Sequence, residues 1–338
     1  MHATPRQLET ESPWPHRIAM LLAGSIFPLI WVGGLVTTYD AGMAVPDWPT
    51  TYGYNLFLYP WQTWLFGPWD LFIEHGHRLL AATVGLVTIA LVIVLYRFER
   101  RTWVRRLGLA ALALVLFQGW LGGMRVRMDA RLLAQIHGCV GPAFFALGAA
   151  LAVFTSPRWR TTETSKLLAD RRVARLASIT TALAYLQLVL GSQVRHVSLR
   201  SDMTVFRAAV LLHLFMAAMV ALHAFLLLAR VRSSGCREAW LSRPAWRLAA
   251  LVVAQIGLGC GTWVLKYGWP AWLPESSWTA GYVVTRESLL QASVTTAHVA
   301  IGSLIFVTSL IVALRAWRLS SMPFRSGAAP MLKWETAP

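Results

Sequence analysis

Charge is what this sequence has least of. Asp, Glu, Lys and Arg make up 14% of its 338 residues, where an ordinary soluble domain carries about a quarter. Acidic residues are the rarer kind, 15 against 31 basic ones. Cysteine is nearly absent: there are three, with no C-x-x-C spacing, which excludes a disulfide framework and a thiolate zinc site. A secretory leader is not expected, because about sixteen polar or proline-containing residues precede the first apolar run.

What is present is apolar. Hydrophobic residues are 56% of the chain and the mean hydropathy is +0.52. The scarce charges are clustered, leaving long uncharged stretches between them. That pattern belongs to a polytopic membrane protein. The formal charge of +16 does not point to nucleic acid, since the basic residues fall in short connections between apolar segments. The 17 tryptophans suit membrane interfaces, and Trp14, Trp103, Trp246 and Trp317 stand at segment ends.

Apolar runs of spanning length predict eight transmembrane helices, over 17–37, 76–96, 104–124, 133–155, 174–194, 208–229, 247–265 and 289–314. The expected fold is all-α, a polytopic membrane protein of eight transmembrane helices arranged as two pseudo-symmetric four-helix bundles. The division is a tail (1–16), an N-terminal half (17–155), a linker (156–173), a C-terminal half (174–316) and a second tail (317–338). The tails and the connections near 97–106, 156–175 and 230–247 hold about 22 of the 31 basic residues, and the positive-inside rule then places both termini in the cytoplasm. The connection 38–73, which holds no Lys or Arg, would face outward together with 125–132, 195–207 and 266–288.

The odd-numbered segments end alike. The first ends Trp31-Val-Gly33-Gly34, and the third, fifth and seventh carry Q-x-x-L-G from Gln118, Gln187 and Gln255 to Gly122, Gly191 and Gly259. Small residues at such recurring positions let backbones approach closely, or let a flat ligand lie against them. The even-numbered segments each open with one histidine: His77, His137, His213 and His298. The chain thus reads as one helical hairpin used four times.

An intramembrane histidine is costly unless it is hydrogen-bonded or ligates something. Four at matching positions and similar depth can be presented in pairs across a flat macrocycle, as axial ligands of haem iron. Two halves give two sites, His77 with His137 and His213 with His298. Zinc or copper would want cysteine, carboxylate or closely clustered histidine. The other histidines have simpler readings: His2 and His16 in the tail, His75 at the interface pointing away from His77, His196 meeting a haem propionate or water, and His223 packed or hydrogen-bonded well below His213.

Glu74 lies one turn before His77 on the same helix face. A carboxylate there can serve as a base, or stabilise positive charge developing on a substrate; its simpler role is an ion pair with Arg78. Neither His213 nor His298 has such an acid, so one site is equipped for chemistry and the other for holding a cofactor.

Taken together, E-x-x-H-R at Glu74, His77 and Arg78, Q-G-x-L-G-G-x-R-V at 118–126, the stretch from Gln187 to Arg195-His196, the histidines at 137, 213 and 298, and Gly-Met-Ala-Val-Pro-Asp-Trp-Pro at 42–49 resemble the haem A synthase family of cytochrome oxidase assembly. The resemblance runs from about 17 to 316. It implies an enzyme of the bacterial inner (plasma) membrane that oxidises the C8 methyl of haem O to the formyl of haem A. It implies haem O on His77 and His137 beside Arg78, haem b as cofactor on His213 and His298, and Glu74 as the catalytic carboxylate. A haem O synthase, an electron acceptor, the lipid bilayer and a second copy of the chain are partners compatible with this reading; nucleic acid is not. Some members carry a cysteine pair in the first outer loop. Residues 38–73 have none, so a mechanism built on such a pair is closed to this chain. The competing readings are a dihaem b-type electron-transfer subunit and a transporter with an inverted repeat. Histidines confined to one end argue against electron transfer across the bilayer, and repeats of one orientation argue against the transporter.

Overall fold

In a computed structural model the described residues are 12–162, 170–197, 202–233, 239–270 and 273–320 other than 275 and 278. The expectations for His2 and for most of both tails fall outside them. Eight long helices dominate: α1 (Trp14–Thr38), α2 (Trp69–Phe98), α3 (Thr102–Arg127), α4 (Arg131–Thr155), α5 (Arg171–His196), α6 (Met203–Ser233), α7 (Ala239–Tyr267) and α8 (Leu289–Ser320). All eight are long and apolar enough to cross a membrane, with hydropathy of 1.5 to 2.6 over their most apolar stretches. The chain is an all-α, multi-pass membrane protein. No β-strand forms among the described residues.

Every helix expected from the sequence is there, and most extend past the apolar run at one end or both. α7 begins at Ala239 rather than 247, and α2 at Trp69 rather than 76. The reason is that an apolar-run boundary stops at the first charged residue. A helix continues through it, because long charged side chains reach back to the interface from the last turns. The extension matters in α2, where Glu74, His75 and His77 sit inside the helix instead of at its first residue. At the other terminus α1 takes in His16, whose Nδ1 lies 3.0 Å from the Ala152 carbonyl; the expected tail residue is a helix contact.

Each group of four helices closes a ring. α1 packs on α2 and α4, and α3 on α2 and α4; likewise α5 packs on α6 and α8, and α7 on α6 and α8. The two rings meet through α1 with α8, α4 with α5, and α4 with α8. α4 can occupy this centre because its inner run is small: Ala146, Gly148, Ala149, Ala150 and Ala152 are buried. A Cβ at Gly148 would come within 3.1 Å of Ile26. α8 buries Ser303 and Ser309, whose hydroxyls donate to the Val299 and Phe306 carbonyls of their own helix and so stay satisfied. The peripheral helices turn large apolar residues outward, among them Leu86, Ile89 and Ile93 on α2 and Leu211, Leu214 and Phe215 on α6, a surface suited to lipid.

The direction of the chain puts residues 39–68 and 128–130, with 197, 202 and the described residues between 268 and 288, at one end of the bundle, which is also the end of all four histidines. At the other end Glu99, 3% exposed, gathers Arg101 and Arg160 in ion pairs of 2.8 and 2.7 Å.

Candidate functional site

The site begins with the glycines. A Cβ built on Gly33 of α1 would lie 2.8 Å from His77 Cε1. At Gly122, Gly191 and Gly259 the nearest atom is again an imidazole Cε1, of His137 at 3.2 Å, His213 at 3.0 Å and His298 at 3.2 Å. In every hairpin the repeated glycine of the odd helix is the bed on which the histidine of the following even helix lies. A methyl group at any of these positions meets the ring, which explains a recurrence that packing of bare helices would not require.

The glutamine of Q-x-x-L-G, four residues earlier, is the second part of the repeat. Gln118 Nε2 donates to the His137 carbonyl (3.1 Å) and Gln255 Nε2 to the His298 carbonyl (2.9 Å). Gln187 Nε2 instead sits 3.3 Å from His213 Nε2. Sequence reading noticed these glutamines and gave them no role. Their spacing from the glycine, one helical turn, was the signal that they address the same histidine.

The rings then meet in two pairs. His77 and His137 have centroids 6.5 Å apart and planes at 80°; His213 and His298 have centroids 6.4 Å apart and planes at 69°. Two imidazoles bound on opposite sides of one transition metal, each nitrogen at about 2 Å from it, would place their ring centres roughly 6 Å apart. All four Nδ1 atoms are buried without a hydrogen-bond partner. Four orphaned ring nitrogens at matching positions are unfavourable as packing alone. No group of three or more His, Cys, Asp or Glu converges among the described residues. An ion held by protein ligands alone therefore has no site there, while paired imidazoles fit a metal that brings its equatorial ligands with it. On this donor set haem fits both pairs.

Among the described residues a buried carboxylate stands one helical turn before His77, and the sequence has no acid at that position before His213 or His298. Glu74 is 1% exposed; its Oε1 accepts from Arg78 Nη2 at 2.9 Å and its Oε2 from the Val45 backbone N–H at 2.8 Å. Arg78 also donates to the carbonyls of Val45, Asp47 and Thr50 at 2.8, 2.7 and 3.0 Å. One guanidinium thereby ties the 39–68 connection to α2, and the connection lies over the start of that helix and reaches α3. Its Trp48 ring packs against Gly123 of α3, and Gly42 against the Arg125 guanidinium. Asp47 is locked within the cover by the Tyr52 and Gly53 N–H groups at 2.7 and 2.9 Å. Burial there pushes its pKa up, but the bonds from Gly53, Thr50 and Tyr52 outweigh it and hold the carboxyl below its ordinary value.

Two secondary expectations change. His75 is not interfacial: it is 2% exposed, its Nδ1 is 3.1 Å from Thr51 Oγ1, and Tyr59 and Trp64 close over it at 5.0 and 5.5 Å between ring centres. The connection folds back over the start of α2 and buries it. His196 turns its Nδ1 to the Ser192 carbonyl at 2.9 Å. His223 is hydrogen-bonded to the Met219 carbonyl at 2.8 Å, as read.

With this geometry in place the chain can be compared with known proteins. Residues 68–199 match the COX15-CtaA family of cytochrome oxidase assembly proteins. The resemblance read from the motifs is borne out over that segment, which contains Glu74, His77, Arg78, His137 and the Arg195-His196 pair; His213 and His298 lie beyond it. The description of that family names cytochrome oxidase assembly. No curated protein matches the chain.

Proposed function

We propose that this protein is a haem A synthase, which oxidises the C8 methyl of haem O to a formyl group for cytochrome oxidase. The observation that carries the reading is the inequality of two otherwise matching histidine pairs: His77 has a buried carboxylate one helical turn before it on α2, and neither His213 nor His298 has an acid at that position.

In this reading His77 and His137 hold the haem O substrate, and His213 and His298 hold a haem b cofactor. When bound, the haem b supplies reversible one-electron chemistry near the substrate. The protein's part is positional and electrostatic. The glycine beds fix where each imidazole stands, so little ordering is left to the moment of binding. Glu74 is held by two donors and keeps further acceptor capacity on both oxygens. It can thus face positive charge developing at the oxidised carbon, or accept a proton from it, without first being oriented. The 39–68 connection bonds Glu74 and keeps it buried from solvent. The two four-helix halves are read as related copies, supported by their identical pattern of neighbours, of which the first (17–155) took on substrate and the second (174–316) kept a fixed cofactor. We place the protein in the inner (plasma) membrane with both termini in the cytoplasm, on the distribution of Lys and Arg; the histidine end then faces outward.

The test is pigment analysis of the protein purified from cells that also make haem O. The wild type should show a low-spin b-type spectrum and yield haem A on extraction. Glu74→Gln should keep the haem b absorbance and lose haem A formation, whereas His213→Ala or His298→Ala should lose the haem b itself. Unchanged haem O beside a folded, haem b-containing wild type would overturn the enzyme assignment in favour of an electron carrier. A colourless preparation from haem-replete cells would overturn both.

A further inference from the structure

The end of the bundle opposite the histidines carries a site that the haem reading does not use. On α8, Arg315 and Arg318 are one turn apart and lie roughly 25 Å along the helix from His298. Arg315 Nη1 donates to the Trp240 carbonyl at 2.8 Å, and its guanidinium lies 5.1 Å from the centre of the Trp240 ring. Arg318 Nη2 donates to the Thr162 carbonyl at 3.2 Å, with its guanidinium 5.4 Å from the Trp159 ring. The two indoles adjoin one another, 6.3 Å between centres, and Arg158 adds a third guanidinium at 5.6 Å from Trp240.

Indoles and the carbonyl end of a helix both favour cations, yet they leave the charge unneutralised. Glu99 at the same end shows the contrast, since it supplies a carboxylate to Arg101 and Arg160. Among the described residues Arg315 and Arg318 reach only carbonyls and rings, and each keeps a buried Nε–H without an acceptor there. Both side chains remain partly accessible. Two forked donors, a spare N–H on each, tryptophans at interfacial depth and a junction of α4, α7 and α8 match a monoanionic phosphate presented from the membrane plane.

We propose that Arg315 and Arg318, framed by Trp159 and Trp240, seat the phosphate of an anionic phospholipid between the two halves of the bundle. The assignment is independent of the haem reading. It is tested on the full-length protein, delipidated in detergent and titrated with cardiolipin, phosphatidylglycerol, phosphatidylcholine or inorganic phosphate. Retained lipid is read by native mass spectrometry and stability by thermal melting. The anionic lipids should stay bound and raise the melting midpoint, and phosphatidylcholine and millimolar inorganic phosphate should do neither. The double variant Arg315→Gln, Arg318→Gln should lose retention by about tenfold while its haem absorbance stays that of the wild type. Equal retention of phosphatidylcholine, unchanged retention by the double variant, or the same stabilisation by inorganic phosphate would each overturn the proposal. If the Gln variant does not fold, Arg315→Lys with Arg318→Lys decides: it keeps the charge and loses the fork, so retention should fall several-fold, and unchanged retention refutes the site.

Discussion

A glycine that faces an imidazole makes a sharper prediction than the histidine itself, because it has no side chain with which to ligate a metal. At Gly259 an added Cβ would stand 3.2 Å from His298 Cε1, while two residues away at Gly257 it would meet nothing within 4 Å. Both lie in the same helix, so helix propensity favours Ala at each by a similar amount, about 1 kcal/mol. Gly259→Ala should displace the ring, lower haem b occupancy several-fold or convert part of it to a high-spin spectrum. Gly257→Ala should look like wild type or melt slightly higher. Absorption spectra of the two variants at matched protein concentration decide it; identical spectra would mean that the glycine repeat serves packing alone. The histidines and the glycines were both legible in the sequence. What was not legible was that each glycine addresses the histidine of its own hairpin, since a repeat gives positions along helices but not the rotation that points one at another. The glutamines, visible in the repeat, had no assignable role for the same reason.

At the scale of an element, the long connection between α1 and α2 takes three of its bonds to α2 from a single side chain. Arg78 makes three bonds to its carbonyls and one to Glu74. Lysine keeps the charge but presents one nitrogen where the fork presents two. Arg78→Lys should therefore loosen the cover: limited proteolysis within 39–68 should accelerate several-fold, and haem A formation should fall while haem b absorbance persists. Unchanged proteolysis would show that Trp48 and Gly42, packed on α3, suffice. Little of this was visible beforehand. A connection of thirty residues without periodicity says nothing about where it folds back, so His75 was placed at an interface that the connection in fact covers. The ion pair of Glu74 with Arg78, by contrast, follows from helical spacing and was readable. So were the eight spans, because hydropathy reports the solvent a helix faces; their ends were not, because charged residues continue the last turns.

A second element has a pH dependence of calculable sign. Burial alone would push the Glu99 carboxyl up, but hydrogen bonds from Arg101 and the charges of Arg101 and Arg160 outweigh it and hold the folded-state pKa below the ordinary value. A depressed carboxyl contributes stability that is present above its unfolded pKa and lost as pH falls through the folded one. The wild type should thus lose stability on acidification below the ordinary carboxylate range, to a degree that Glu99→Gln does not share. At neutral pH that variant leaves two guanidiniums without their carboxylate and should be less stable by about 2–4 kcal/mol. Thermal melting of both proteins across that range checks the sign, and parallel pH profiles would refute it.

For the whole molecule the question is whether two halves that each carry a histidine pair act separately. The histidine ends are joined by Arg195 of α5, whose Nη2 donates to the Gly34 carbonyl and to Thr38 Oγ1 of α1 at 2.9 and 2.8 Å. Thr296 of α8 joins the same cluster, 3.4 Å from Thr38 Oγ1 and against Gly34. No sequence pattern announces a bond between residues 161 positions apart. Its neighbours are telling: Gly34 adjoins Gly33, the bed of His77, and Arg195 lies one turn beyond Gly191, the bed of His213. A shift of α1 against α5 moves a support of each pair at once. Arg195→Gln removes the charge and at least one of the two bonds, so it should lower stability by about 1–3 kcal/mol. More informatively, it should alter both sites together: the haem b spectrum or midpoint potential should change, and haem A formation should fall, although residue 195 is neither a ligand nor near Glu74 in sequence. The control is Glu99→Gln, which destabilises the opposite end by a similar amount and should leave the haem b spectrum unaltered. If both variants change the haem equally, general loosening explains the result; if Arg195→Gln alone does so, the two pairs are coupled through the α1–α5 contact.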